Sequence, residues 1–94
     1  MDRIARRNRK LKIGKLIEAN VKPNTPFCVW DVGAWWARTY GGGGLSVKEV
    51  SKILPGIASY GRIKLLPKDK CIDGAYAYEW NGESPVIWYD DDDD

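Results

Sequence analysis

The sequence predicts an α+β domain in which about three helices precede a β-hairpin. Three observations lead there. Apolar residues recur at helical spacing over three stretches before residue 60. Clusters of glycine and proline separate those stretches. From Arg62 to Trp80 the pattern then changes to alternation around a polar turn.

The first helix is expected within Met1–Asn20. Ile13, Leu16, Ile17 and Asn20 fall at i, i+3, i+4 and i+7, so 10–20 carries the stripe that can be buried. Residues 1–9 are polar all round and are read as a flexible basic arm that orders on a partner. Gly14 weakens the helix by about 1 kcal/mol relative to alanine. Pro23, Asn24 and Pro26 then stop the helix and form a loop.

Phe27 to Trp30 is a short β-prone run, and Asp31 stands where a helix N-cap is expected. Val32, Trp35, Trp36 and Thr39 or Tyr40 follow at helical spacing. Two adjacent tryptophans cannot both point inward, so one of Trp35 and Trp36 is expected at the core edge. Gly41 to Gly44 ends that helix. Leu45 is expected in the core. Ser46-Val47-Lys48-Glu49 fits a capping box, with the hydroxyl bonding forward and the carboxylate back. Val47, Val50, Ile53 and Leu54 form the expected buried stripe. Pro55-Gly56 should end or kink the helix.

Arg62–Leu66 reads as one strand and Ala75–Trp80 as its partner, joined by an eight-residue polar tip, 67–74. Tyr76, Tyr78 and Trp80 share one face, read as a sheet face packed on helices rather than an RNA-binding surface. Asn81-Gly82 is a second turn signal, and 86–89 is a candidate edge strand. The domain is thus expected over 10–89, with 90–94 as a disordered acidic tail.

Composition limits the chemistry. Ninety-four residues, 44% hydrophobic and 30% charged, suit one soluble globular domain with a small core. With no histidine, His-based acid–base chemistry and Ser-His or Cys-His nucleophiles are excluded. Cys28 and Cys71 make no CxxC and suggest no metal site. Cys28 reads as a buried small hydrophobe. The Gly41–Gly44 run lacks the GxxxxGK[ST] context of a phosphate loop. No enzyme activity and no cofactor are expected. No apolar run approaches the roughly 20 residues of a membrane span, and the N-terminus lacks an apolar secretory segment. A cytoplasmic location and no membrane partner are expected.

Charge is segregated. The formal net charge is +2, yet Asp90 to Asp94 supply five of the thirteen acids, and the preceding 89 residues carry +7. Seven of the fifteen basic residues lie within the first fifteen positions, which suits a nucleic-acid partner.

The Lys10–Asn20 helix, Asp31-Val32-Gly33-Ala34-Trp35-Trp36, Leu45-Ser46-Val47-Lys48-Glu49-Val50 and the Arg62–Trp80 hairpin together resemble the winged helix-turn-helix superfamily. The four-glycine turn is longer than the tight turn of standard members. The resemblance implies a recognition helix starting at Val47, with Ser46, Lys48, Ser51 and Lys52 facing outward to DNA. It implies a wing carrying Arg62, Lys64, Lys68 and Lys70. Arg3, Arg6, Arg7, Arg9 and Lys10 would supply further phosphate or minor-groove contacts.

The implied function is transcriptional regulation, or an architectural or partition-type role, on duplex DNA. An RNA- or ribosome-associated protein is the alternative partner class. A protein-interaction module or inhibitor, with the acidic tail mimicking nucleic acid, is a third. A homodimer is an open oligomeric option.

Overall fold

The computed structural model describes residues 3–41 and 45–86. The glycines at 42–44, the acidic tail at 90–94 and the candidate edge strand beyond Val86 lie outside the described residues, as do the Arg3 and Arg6 side chains.

α1 spans Arg3–Asn20. Residues 3–9, expected as an arm, continue this helix, for two physical reasons. Four of these seven residues are Arg and one is Ala, both good helix formers. The segment is also tied down, because Arg9 forms an ion pair with Glu49 and Lys10 is buried. Ile13, Leu16 and Ile17 are buried as their spacing requires. At the C-terminus the Asn20 side-chain amide donates to Leu16 O (2.9 Å) and the Val21 N–H to Ile17 O (3.1 Å), satisfying carbonyls the helix leaves open.

Gly14 has a tertiary role. A Cβ there would stand 2.6 Å from the carbonyl oxygen of Pro85, which is buried against α1. The chain returning from the sheet therefore crosses α1 at the one position that lacks a side chain.

β1 is only Pro26–Phe27, shorter than the expected run, because Val29 and Trp30 belong to α2 (Val29–Tyr40). Asp31 is not the N-cap. Cys28, in extended conformation, occupies that position, and Asp31 sits in the first turn, where its Oδ2 accepts the Cys28 N–H (2.9 Å). Starting at Val29 buries Val29, Val32 and Trp36 at i, i+3 and i+7. The carboxylate also lies favourably at the positive end of the helix. Trp36 is buried and Trp35 half-buried, its ring 5.7 Å from that of Phe27. Gly41 (φ 91°) ends the helix, its N–H donating to Ala37 O. Cys28 is a free, buried cysteine, and burial pushes its thiol pKa up; Cys71 is exposed.

α3 is Val47–Ala58. Ser46 caps it as expected, its Oγ accepting the Glu49 N–H (3.2 Å). The Glu49 carboxylate turns to Arg9 of α1 instead of closing the box. Pro55 does not end the helix. Its missing N–H leaves the Ser51 carbonyl without its helical donor, but both residues are exposed and water can serve. The gain is burial of Ile57, so the buried stripe is Val50, Ile53, Leu54 and Ile57 and not the expected one starting at Val47. Val47 is 36% exposed. Leu45 packs half-buried on the core.

β2 (Ile63–Leu65) and β3 (Tyr78–Trp80) form the hairpin, and β3 lies between β1 and β2 in an antiparallel sheet. Ile63, Lys64 and Leu65 face Trp80, Glu79 and Tyr78; Pro26 and Phe27 face Glu79 and Tyr78. Tyr78 and Trp80 are buried, but Tyr76 precedes the strand and is 52% exposed, not on the packed face as expected. The polar tip is ordered in two pieces. A 3₁₀ turn covers Lys68–Lys70. Ile72 and Ala75 then exchange both backbone hydrogen bonds across Asp73-Gly74, whose positive φ angles (48° and 81°) are those of a type I′ turn.

Alanine at Gly14 and at Gly33 should act in opposite directions. Gly14→Ala should lower the thermal midpoint, because overpacking costs about 1–3 kcal/mol and outweighs the propensity gain. Gly33 meets nothing within 4 Å, so Gly33→Ala should raise it, by about 0.5–1 kcal/mol. Equal shifts would contradict the Pro85 contact. Chemical denaturation also tests the cap of α3. Ser46→Ala should cost roughly 0.5–2 kcal/mol. Glu49→Ala should add to it independently, since its carboxylate serves Arg9. A marked coupling between the two would restore the closed capping box.

Candidate nucleic-acid interface

The stripe that anchors α3 decides what it presents. With Val50, Ile53, Leu54 and Ile57 inward, two parallel rows face out: Val47 with Ser51, and Lys48 with Lys52. Members of each row are four residues apart, hence neighbours one turn apart on the helix surface. Ser46, Lys48, Ser51 and Lys52 are all exposed, as the sequence suggested.

The hairpin contributes Lys64, exposed on β2 directly across from Glu79 in the ladder. Lys68 and Lys70 stand exposed in the 3₁₀ turn on either side of Asp69. Arg62 is less available: its Nη1 donates to Glu83 Oε1 (2.8 Å), and Asn81 braces the same carboxylate (3.1 Å). That cluster fixes the turn after β3.

The basic residues of α1 divide in the same way. Lys10 is 6% exposed, and its ammonium would lie 3.1 Å from a Cβ added at Gly56 of α3. It is therefore buried in the α1–α3 contact and is not the exposed cation that the sequence suggested. Arg9 is paired with Glu49 across the same contact, and Arg7 is half-buried. Lys12 lies 5.1 Å from the Tyr40 ring centroid and 5.8 Å from that of Trp36, within cation–π range. Arg38 is held by Asn20 Oδ1 (2.7 Å). The exposed lysines of α3 and the hairpin are thus the part of the expected site best placed to meet a polyanion.

A groove of about 290 Å³ joins these two elements. Val29 and Trp30 of α2 form one side, Val47 and Ser51 of α3 another, and the segment from Gly74 to Tyr78 the third. Trp30 Nε1 donates to the Asp73 carbonyl (3.3 Å), tying α2 to the tip of the hairpin. Burial pushes the Tyr78 phenol pKa up, so that side chain stays neutral. The sequence pattern does not reveal this groove, because it puts Trp30 in a strand and Tyr76 on the core face. A usable signal is Cys28-x-x-Asp31, a capping arrangement with cysteine in the first place, which puts Trp30 in an exposed helical turn.

The described residues hold no cluster of three or more Cys, Asp and Glu able to bind a metal ion, and none of their helices is long and apolar enough to cross a membrane. Comparison with protein-family models, curated proteins and solved structures finds no match for this chain.

Proposed function

We propose that this chain is a small DNA-binding protein of the winged helix-turn-helix type, with α2 and α3 as the helix pair, α3 as the recognition helix and the β2–β3 hairpin as the wing. The observation that carries the reading is the exposed Lys48–Lys52 row on α3, next to a hairpin with three exposed lysines. The chain order α1-β1-α2-α3-β2-β3 with sheet order β1-β3-β2 supports it, since that order sets a capped helix beside a hairpin as in the winged form.

Binding proceeds by neutralising phosphates. Each lysine that meets one releases condensed counterions, and this supplies affinity without reading sequence. α3 holds no Arg, Asn or Gln, the side chains that read bases in a bidentate manner. Ser46 and Ser51 offer single hydrogen bonds, so sequence discrimination by α3 is modest. Such a protein suits an architectural, partition-type or broadly acting regulatory role and needs no covalent chemistry.

The test is Lys48→Ala/Lys52→Ala, measured by fluorescence anisotropy on a short duplex over a range of salt. Binding should weaken, and the log–log salt slope should fall by about 0.9 for each phosphate that α3 no longer neutralises. Thermal stability should stay within about 0.5 kcal/mol, because exposed lysines contribute little to folding. Unchanged affinity and slope would remove α3 from the interface.

A further inference from the structure

We propose that the groove between α2, α3 and the hairpin turn receives a single unpaired nucleobase. The inference rests on the nucleic-acid reading and adds a structural preference to it: a site where one base leaves the stack.

Three apolar side chains around the groove stay in contact with water, Trp30 at 49%, Tyr76 at 52% and Val47 at 36% exposure. None of them is among the buried core residues. A concave exposed apolar patch marks a binding surface. Trp30 is also held in place, since its indole N–H is bonded to the Asp73 carbonyl at the hairpin tip. A ring fixed before binding loses little entropy when something stacks on it.

Size and charge select the occupant. At about 290 Å³ the groove takes one flat group. An amphipathic helix needs anchors at i, i+4 and i+7 along a longer channel, and an added strand needs a free sheet edge of matching length. The walls supply three aromatic residues (Trp30, Tyr76 and the buried Tyr78), a small floor at Gly74 and Ala75, and Ser51. The Lys48–Lys52 row runs beside the Val47–Ser51 row on the same helix, placing positive charge next to an apolar slot. A flat aromatic group attached to an anion is a nucleotide, and aromatic side chains take bases of any sequence by stacking.

The experiment compares a fully paired duplex with the same duplex bearing one bulged adenine or cytosine, by anisotropy, for the unaltered chain, Tyr76→Ala and Tyr76→Phe. The bulged duplex should bind roughly five-fold tighter or more, the range expected for one stacked base. Tyr76→Ala should abolish that difference while leaving paired-duplex affinity in place, and Tyr76→Phe, which keeps the ring, should retain it. Equal binding of bulged and paired duplexes would overturn the base site and leave the duplex reading standing. Binding of bulged or single-stranded DNA without binding of the paired duplex would support the base site and overturn the duplex reading. Binding of neither overturns both. Self-association in sedimentation that disappears in Tyr76→Ala would overturn the base site by assigning the groove to a second copy of the chain.

Discussion

The pairing of β3 on both its edges is the constraint on which the rest of the structure depends. Three residues, Tyr78 to Trp80, bond on one side to a strand that precedes α2 and on the other to a strand that follows α3. Both helices are thereby enclosed between segments that meet in one short sheet. Closing such long loops is entropically costly, and ladders of two and three residue pairs offset little of it. Aromatic contacts add to them. Phe27 is buried with its ring 5.7 Å from Trp35 and 6.2 Å from Tyr78, so the strand that starts the sheet also joins it to α2. The consequence for function is positional. α3 and the hairpin cannot move apart without breaking the central strand.

α1 completes the frame and uses up charge in doing so. Its apolar stripe packs on α2 and α3, while Arg9 and Lys10 hold its N-terminal half to α3. Those cations look identical in sequence to the ones left exposed on α3. What distinguishes them is their facing element: Glu49 for Arg9, and the bare backbone of Gly56 for Lys10. Among the described residues of α1, Arg9 and Lys10 are taken up in this way, whereas Lys15 stays exposed.

Local signals carry most of what the sequence makes legible. The α+β class, the Lys10–Asn20 stripe, the Ser46 cap and the presence of the hairpin follow from spacing and short-range chemistry. The misplacements have local causes too. Asp31 reads as the N-cap because cysteine is not a usual cap residue. The stripe of α3 reads one turn early because Pro55 argues against a turn holding Ile57. Asp73-Gly74 is a type I′ signature that the wider polar tip conceals. Other features are out of reach of any local rule. Gly14 owes its identity to Pro85, far along the chain, and the groove exists because Trp30 meets Asp73 across 43 positions. Sequence pattern therefore points to the lysines of α3 and the hairpin but not to the aromatic slot between them.

The proposal that α3 and the hairpin form one nucleic-acid-binding face can be tested by titrating the isotopically labelled protein with a short DNA duplex and following its backbone amide resonances. Shifts should concentrate at Ser46, Lys48, Ser51, Lys52, Lys64 and the Lys68–Lys70 turn. The surface around Asn20 and Arg38, which bond to each other, should stay unmoved. Shifts centred there, or no shifts at any ratio of DNA to protein, would show that α3 and the hairpin are not the binding face.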